Sequence, residues 1–254
     1  MNAGIKNIDR FNNRADNYDK FRPGYPHTLL DYLYTHNRLT QESVITELGA
    51  GTGILSLELA KWPSTLIAIE PNDQMREKAI ETLKGATNCV IKDTMAEQTG
   101  LDANSIDLII CAQSFHWFDA GKVRVEFNRI LKDKGKVAII WNIRSAETAF
   151  EKAYEDFILK FSIDYEEVKK RESRGNNLRH FFRENTLEQH EFNYDTYLTF
   201  DQLLGRTLSY SYMPNENHPL APTMKNYLSN LFNQYHTKGI IGLSYKTKLF
   251  MGEI

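Results

Sequence analysis

The fold of this chain is indicated most clearly by the stretch Val44-Ile45-Thr46-Glu47-Leu48-Gly49-Ala50-Gly51-Thr52-Gly53, an apolar run that ends in a glycine turn. Glycine adopts backbone conformations that are closed to other residues, and it presents no β-carbon to a ligand. The turn from Gly49 to Gly53 is therefore predicted to be a cradle in which a small molecule lies against the main chain. The alternative interpretation is a plain bend between a strand and a helix.

Two acidic residues narrow the kind of ligand that the turn can accept. The pyrophosphate-binding fingerprint requires glycines spaced G-x-G-x-x-G, but Ile54 stands where the last glycine should be. Glu47 would repel a phosphate and attract an ammonium group, directly or through water. Glu70 ends the next apolar segment, where a carboxylate can accept hydrogen bonds from both hydroxyls of a ribose. The pattern favours a nucleoside with a positively charged amino-acid tail.

Short apolar runs alternate with segments of helical spacing between Val44 and Asn142, which predicts a parallel sheet with helices on both faces. Several strands are almost continuously apolar, as expected when both faces are buried. Strands are predicted near 44–48, 65–70, 88–92, 106–112 and 136–142. Helices are predicted from Pro26 to Leu39, from Asn72 or Asp73 to Leu83, and from Asp119 to Leu131.

The regular alternation ends after Arg144. Aromatic residues at near-helical intervals predict a helix from Ala146 to Lys170, whose apolar stripe would pack against the carboxyl edge of the sheet and could roof a substrate pocket. Two last strands are predicted at 191–200 and 241–251, with helices at 201–209 and 220–236 between them.

Composition limits the classes of partner. The 254 residues carry 31 basic and 33 acidic side chains and a net charge of −2, so no global positive field would attract a polyanion. The N-terminus has no apolar leader core, and no apolar run approaches the roughly 18 to 20 residues of a membrane span. We expect a cytoplasmic protein without a membrane partner. Cys89 and Cys111 suit buried apolar positions, and no metal is expected.

Further segments resemble one enzyme family. The order acid-x-Gly-x-Gly-x-Gly from Glu47 to Gly53, with Glu70 one βα unit later, resembles the class I S-adenosylmethionine-dependent methyltransferases. Gln113-Ser114-Phe115-His116-Trp117-Phe118 resembles the small-molecule branch, methyltransferase type 11, which includes trans-aconitate and other carboxylate methyltransferases. Phe11 to Tyr18 and Arg22 to Pro26 are similar to the segment that folds over the cofactor in that branch. The resemblance implies a doubly wound α/β, Rossmann-like sheet of seven mostly parallel strands, with an antiparallel edge and a helical cap insertion.

The resemblance also implies S-adenosylmethionine as the cofactor and a small molecule as the methyl acceptor. We expect an N-terminal lid segment over 1–40, a cofactor-binding core over 41–144, a helical cap over 145–188, and the last strands with additional cap helices over 189–254, completing the same domain. Expected cofactor contacts are Tyr18, Arg22, Glu47, Gly49, Ala50, Gly51, Thr52, Gly53, Glu70, Pro71, Met75, Met95, Ala96, Glu97, Gln113, Ser114 and Phe115. Expected substrate contacts are His116, Trp117 and Asn142.

Several roles stay open at the level of sequence. His116 is the candidate catalytic residue, as a base, although its sequence position favours a positioning role beside Trp117. Methyl transfer is an in-line displacement in which a base is optional, and an ionised carboxylate needs none. Tyr18 and Arg22 could close over the cofactor or simply pack at the surface. The protein could be a monomer or a homodimer.

Two other functions remain as alternatives to a small-molecule methyltransferase. The basic residues Lys169, Lys170, Arg171, Arg174 and Arg179 could dock a tRNA or a protein, although interleaved acids favour a solvated helix face. The chain could also be a non-catalytic module that binds S-adenosylmethionine as a sensor. A small-molecule partner is expected, and nucleic acid is disfavoured.

Overall fold

The computed structural model describes residues 20–163, 165 and 178–254. Its strands are β1 (Val44–Leu48), β2 (Thr65–Ile69), β3 (Cys89–Lys92), β4 (Ile106–Ala112), β5 (Leu131–Arg144), β6 (Glu188–Leu198) and β7 (Ile241–Gly252). They form one sheet in the order β3-β2-β1-β4-β5-β7-β6. Strands β1 to β5 pair in parallel, whereas β7 runs antiparallel to both β5 and β6. The predicted seven-stranded, mostly parallel sheet with an antiparallel edge is confirmed.

Helices cover this sheet and extend beyond one end of it. They are α1 (His27–His36), α2 (Ile54–Leu59), α3 (Asp73–Thr82), α4 (Ala120–Ile130), α5 (Ala149–Phe161), α6 (Phe200–Ser209) and α7 (Ala221–Tyr235). Asn72 caps α3 by accepting a hydrogen bond from the Met75 amide, and Asp119 caps α4 by accepting from two amides. Both predicted cap residues are confirmed.

The central strands are buried on both faces, which explains their continuous apolar sequence. In β4, Ile109 packs into the hydrophobic cluster on one side of the sheet, whereas Leu108 and Ile110 pack into the cluster on the other side. In β5, Ile139 and Ile140 divide between the same two clusters. Because successive side chains of a strand point to opposite faces, a strand that is covered on both sides must be apolar at every position.

Strand β5 is longer than its sequence predicts. It begins at Leu131, and its pairing with β4 is interrupted between Ile106 and Leu108, so that residues near Lys134 and Gly135 form a local irregularity. Because polar and glycine residues occupy this irregularity, the first part of the strand lacks the apolar pattern by which a strand is predicted. At the other end, pairing with β7 carries β5 as far as Arg144.

The helix predicted from Ala146 to Lys170 is shorter in the described residues. Helix α5 begins after the capping residue Thr148 and ends at Phe161, because Ser162 takes an extended backbone conformation. Residues 166–170 of the prediction lie outside the described residues. The aromatic stripe of α5 packs with α6, α7 and the start of β7 at the carboxyl edge of the sheet. In the described part of the chain, no helix combines the length and the apolar character that a membrane crossing requires.

Candidate functional site

A cleft opens at the carboxyl ends of β1, β2, β4 and β5, beside the point where the strand order changes direction between β1 and β4. Open α/β sheets bind ligands in such a crevice. The N-terminal segment closes one side of the cleft through Arg22, Pro23 and Tyr25. The position of the cleft therefore depends on the parallel core of the sheet and on the segment that precedes α1.

The glycine turn after β1 forms the floor of the cleft. Gly49, Gly51 and Gly53 have φ angles of 71°, 60° and 84°, in the region that favours glycine. A β-carbon added to Gly49 would lie 2.6 Å from the β-carbon of Ser114, so the turn packs directly against the end of β4. The amides of Gly49 and Ala50 are held by the carbonyl of Ile69 at 2.9 and 3.0 Å. Gly51 lines the cleft with its backbone, since it has no side chain.

Glu70 lies on one side of this turn in a fixed orientation. One carboxylate oxygen accepts a hydrogen bond from the Gly51 amide at 2.8 Å, and the other accepts from the Asn72 amide at 2.8 Å. Burial raises the pKa of Glu70, whereas these two amides and the charge of Arg76 lower it. Each oxygen retains acceptor capacity for one more hydrogen bond. The arrangement suits the two hydroxyls of a ribose.

Glu47 precedes the turn at the end of β1 and is more deeply buried than Glu70. Its carboxylate accepts a hydrogen bond from the Ser56 hydroxyl at 2.5 Å. Burial raises the pKa of Glu47 to about 8, the Ser56 hydroxyl lowers it, and the nearby charge of Glu70 raises it further. A buried carboxylate gains most from a neighbouring cation, because the cation restores the stabilisation that water would give. An ammonium group is the complementary ligand.

Most of the residues predicted to form the site come together in the wall of the cleft. Arg22, Glu47, Gly49, Ala50, Gly51, Glu70, Pro71, Met75, Met95, Ala96, Glu97, Gln113, Ser114, Trp117 and Asn142 line it. Tyr18 lies outside the described residues. Lining residues that the site prediction omitted are Pro23, Tyr25, Ile54, Leu55, Asn72, Ala112 and Phe118. Adjacency in the chain to predicted site residues is the signal that could have found Pro23, Ile54, Asn72, Ala112 and Phe118, and Leu55 is one residue further from Gly53.

Four predicted site residues are not in this wall. Thr52 and Gly53 face the packed side of the turn, where a β-carbon on Gly53 would contact Ala79 of α3 at 3.4 Å. Phe115 packs against Phe181 in the core, with 4.8 Å between ring centroids. His116 packs on Trp117 with centroids 4.6 Å apart and does not line the cleft. In the tight turn from Phe115 to Trp117, successive side chains diverge, so Trp117 alone of these three faces the cleft. Catalysis by His116 stays a prediction.

The N-terminal segment is anchored over the cleft by β5 and α6. The Asn142 side-chain amide donates to the Gly24 carbonyl at 2.9 Å, and its oxygen accepts from the Thr247 hydroxyl at 2.6 Å. The Arg206 guanidinium donates to the Phe21 carbonyl at 2.7 Å. A β-carbon on Gly205 would overlap the Phe21 ring, so this glycine permits the close contact. Asn142 therefore connects the N-terminal segment to the sheet as well as lining the cleft.

Among the residues that the structure describes, no three His, Cys, Asp or Glu side chains converge in a way that could hold a metal ion. The polar groups of the cleft are arranged instead around the glycine turn.

Comparison with known proteins shows which family this chain resembles. Residues 46–139 match the family model described as a methyltransferase domain. An uncharacterized methyltransferase of Schizosaccharomyces pombe is 35% identical over 128 residues, which are 50% of this chain and 50% of the relative. An uncharacterized methyltransferase of Mycobacterium tuberculosis is 27% identical over 203 residues, which are 80% of this chain and 76% of that protein. The alignment spans about half the length of the first curated relatives.

Solved structures share the fold. A proposed type II methyltransferase from Anaeromyxobacter dehalogenans superposes with a TM-score of 0.71 at 19% identity, over 92% of this chain and 98% of that chain. The geranyl diphosphate C-methyltransferase from Streptomyces coelicolor A3(2) superposes with a TM-score of 0.54 at 10% identity, over 100% of this chain and 99% of that chain.

An uncharacterized methyltransferase of Geobacillus thermodenitrificans is 31% identical over 156 residues, which are 58% of this chain and 69% of that protein. The chain therefore belongs to the class I S-adenosylmethionine-dependent methyltransferases, with the methyltransferase domain over residues 46–139. S-Adenosylmethionine is the cofactor of this family, and the cleft residues fit it. A turn without side chains, a buried carboxylate suited to an ammonium group and a carboxylate oriented by two amides are the features that such a cofactor requires.

Proposed function

We propose that this protein transfers a methyl group from S-adenosylmethionine to a small, acidic or amphipathic molecule bound in the cleft. The observation that carries the proposal is the pair of acids around the glycine turn: Glu47 is buried and suited to a cation, and Glu70 is oriented by the amides of Gly51 and Asn72. These residues would hold the amino-acid and ribose parts of the cofactor. Met95, Ala96 and Glu97 would flank its adenine ring.

The remaining wall of the cleft would receive the methyl acceptor. When bound, the cofactor supplies an electrophilic methyl group on a sulfonium. The chain must then align the acceptor and exclude water, because the displacement is in line and needs no dedicated base when the acceptor is already ionised. Gln113, Trp117 and Asn142 lie where they can position the acceptor, and Arg22 provides a cation at the lid. The aromatic face of Trp117 would also be electrostatically favourable beside a sulfonium.

Isothermal titration with S-adenosylhomocysteine tests this proposal most directly. The wild type should bind it, and Gly51→Val should abolish measurable binding, because the new side chain would occupy the floor of the cleft. Gly100→Val is the matched control, since Gly100 has a similar φ of 65° and nothing lies within 4 Å of an added β-carbon. Both positions have a positive φ, so backbone strain should cost each variant on the order of 1–2 kcal/mol.

The outcomes separate the competing functions. Binding by Gly51→Val equal to that of Gly100→Val would show that the turn does not hold the cofactor. Absence of binding to the wild type, with measurable binding of NAD, would reject a methyltransferase site. Binding without any turnover across a broad panel of metabolites would favour a sensor. Salt-dependent binding to bulk tRNA, lost on charge reversal at Lys170 and Arg171, would favour a macromolecular substrate; those two residues lie outside the described part of the chain.

A further inference from the structure

A cluster of arginine and tyrosine side chains adjoins the wall of the cleft at Arg22. We call it the arginine–tyrosine cluster and define it as Arg22, Arg144, Arg206, Tyr210, Tyr212 and Tyr245. Arg22 belongs to the cleft wall, and Arg144 is two residues beyond the lining residue Asn142 on the same strand. Residues two apart on a strand point to the same side. The cluster therefore meets the cleft at Arg22, the one member that lines it.

Arg144 holds the centre of this cluster. Its guanidinium donates to the Tyr212 hydroxyl at 2.9 Å and to the Glu155 carboxylate at 2.7 Å. It also lies over the Tyr210 ring, 5.0 Å from the centroid. Glu155 compensates the charge of Arg144, so this arginine alone would not create an excess of positive charge.

Arg206 supplies a buried positive charge that no carboxylate pairs with in the part of the chain that the structure describes. Its guanidinium donates to the Phe21 carbonyl at 2.7 Å, to the Thr196 hydroxyl at 2.9 Å and to the Tyr245 hydroxyl at 3.3 Å. All three acceptors are neutral oxygens. Burying a cation among neutral groups is costly, and a nearby anion would recover part of that cost.

Tyr210 shows where the positive charges converge. Its ring lies 4.6 Å from the guanidinium carbon of Arg22, and its hydroxyl is 3.5 Å from that of Tyr245. Burial acts to raise the pKa of the Tyr210 phenol, but the charges of Arg144, Arg22 and Arg206 together with the bond to Tyr245 lower it. For Tyr212, burial prevails and raises the pKa to about 12. The region around Tyr210, next to Arg22, is thus the most favourable place in the cluster for negative charge.

We infer that the acceptor carries an anionic oxygen group, and that this group docks against Arg22 in the positive field of the buried Arg206. The inference rests on the proposed function, because it names the substrate class of the same cleft. A carboxylate and a phosphate share this chemistry, since both accept hydrogen bonds from a guanidinium fork. An acceptor with a cationic group at this end would meet like charges, and a neutral one would gain nothing from them.

Arg22 is the residue that would contact the anion, whereas Arg206 acts through its field. The guanidinium of Arg22 donates to the Ser209 carbonyl at 3.2 Å, which fixes it against α6 with its aromatic neighbour Tyr210 beneath. A guanidinium held in this way is oriented before the ligand arrives, so little conformational entropy is lost on binding.

Four phenyl compounds that differ in their charged group test the inference on the protein saturated with S-adenosylhomocysteine. Benzoate and phenyl phosphate carry the two anionic groups, benzamide is the neutral match and benzylamine the cationic one. Calorimetric titration should give at least one anion an affinity about tenfold higher than that of benzamide, and benzylamine should bind weakest. The stronger of the two anions identifies a carboxylate or a phosphate as the preferred group.

Two variants connect this preference to the cluster. Arg22→Gln and Arg206→Gln should each reduce the preference of anion over benzamide to a few-fold or less, even though Arg206 does not line the cleft. Arg183→Gln is the matched control, because Arg183 forms an exposed ion pair with Glu253 far from the cluster in the chain. It should retain the wild-type preference. If Arg206→Gln fails to fold, Arg22→Gln alone tests the inference.

The outcomes also separate the inference from the proposed function. If S-adenosylhomocysteine binds but the protein binds benzamide and both anions with equal affinity, the inference is overturned and the proposed function stands. The same holds if S-adenosylhomocysteine binds and no probe binds. An anion preference that survives in Arg22→Gln overturns it as well. Failure of S-adenosylhomocysteine to bind contradicts the proposed function, and the inference with it.

Discussion

The carboxyl of Glu47 is a single residue whose protonation should control cofactor binding. Burial raises its pKa to about 8, so the group is largely neutral at pH 6 and gains charge toward pH 8. Binding of an ammonium group favours the ionised form, so binding should release a proton below pH 8. We predict that the affinity for S-adenosylhomocysteine rises from pH 6 to pH 8, by at most about tenfold per pH unit, as measured by isothermal titration in buffers of different ionisation enthalpy.

Glu47→Gln provides the corresponding variant. The amide can still accept from Ser56, but it carries no charge, so binding should be weaker at pH 8 and nearly independent of pH. A raised pKa in the folded state means that the contribution of Glu47 to stability is present below its unfolded pKa and is lost as pH rises through about 8. Without ligand, Glu47→Gln should therefore be more stable than the wild type at pH 8. Glu77→Gln, at an exposed position of α3, is the control. A wild-type affinity that does not change with pH would contradict the prediction.

Gln113 is a second residue with a defined physical role, because it is a non-glycine residue with a φ of 58° at the cleft. The backbone amide of Gln113 donates to the Ile140 carbonyl at 2.9 Å, which fixes the backbone where β4 ends. The left-handed conformation costs about 1–2 kcal/mol for a residue with a β-carbon. We predict that Gln113→Gly is more stable than Gln113→Ala by about 1 kcal/mol in urea denaturation. Equal stability of the two variants would show that no strain is stored there.

At the scale of elements, the N-terminus of α5 connects the helical layer to the sheet. Thr148 and Glu151 form a capping box, and the Glu151 carboxylate also accepts from the Ser244 amide of β7 at 3.0 Å. Burial acts to raise the pKa of Glu151, but the hydrogen bonds to its carboxylate lower it. Thr148→Ala should cost about 1 kcal/mol, and Glu151→Ala about 2 kcal/mol, because it leaves three amides without their acceptor. The urea midpoint measures both.

Lys152→Ala on the same helix is the control for that experiment. Lys152 is exposed, and alanine is a good helix former, so the midpoint should barely move. If Glu151→Ala were no more destabilising than Thr148→Ala, the bond to β7 would contribute nothing beyond the helix cap.

Elements whose signal is local could be predicted from the sequence. The strands β1, β2 and β4, and the starts of α3 and α4, depend on continuous apolar runs and on capping residues that lie next to them in the chain. The first part of β5 could not, because an irregularity among polar residues breaks its pattern. The end of α5 was also misplaced, because aromatic spacing continues past Phe161 although the backbone becomes extended at Ser162.

The same reasoning applies to the site. Glu47, the glycine turn and Glu70 are close in the chain, or one βα unit apart, so their juxtaposition follows from the sequence. The arginine–tyrosine cluster joins residues from the N-terminal segment, β5, α6 with the loop after it, and β7. Because these residues are far apart in the chain, only tertiary packing brings them together. Arg22 was the one member of the cluster that sequence analysis identified, through its place in a motif.

At the scale of the whole molecule, two carboxylates join distant segments and should set the stability of the protein in acid. Hydrogen bonds from Arg129 lower the pKa of Glu126 to about 2 despite its burial, and the Thr99 amide and hydroxyl contribute. Burial acts to raise the pKa of Glu188, but bonds from Lys136 and Tyr32 lower it to about 2. Glu188 thereby connects β6 to β5 and to α1.

The sign of the effect follows from the depressed values. A carboxylate whose pKa is about 2 when folded and 4.5 when unfolded contributes stability above pH 4.5, and that contribution is lost as pH falls toward 2. We predict that the free energy of unfolding falls steeply between pH 4.5 and pH 2.

Glu126→Gln should cost about 1–3 kcal/mol at pH 7 and should flatten this decline. Glu188→Gln should act in the same direction but more weakly, because that side chain is 35% exposed and its ion pair is screened by solvent. Glu216→Gln, in an exposed loop, is the control and should follow the wild-type curve. Urea denaturation at half-unit intervals of pH measures all four proteins. A decline that is equally steep in Glu126→Gln and in the wild type would mean that acid unfolding depends on other groups, and that the link between α4 and the loop at Thr99 is not what holds these segments together.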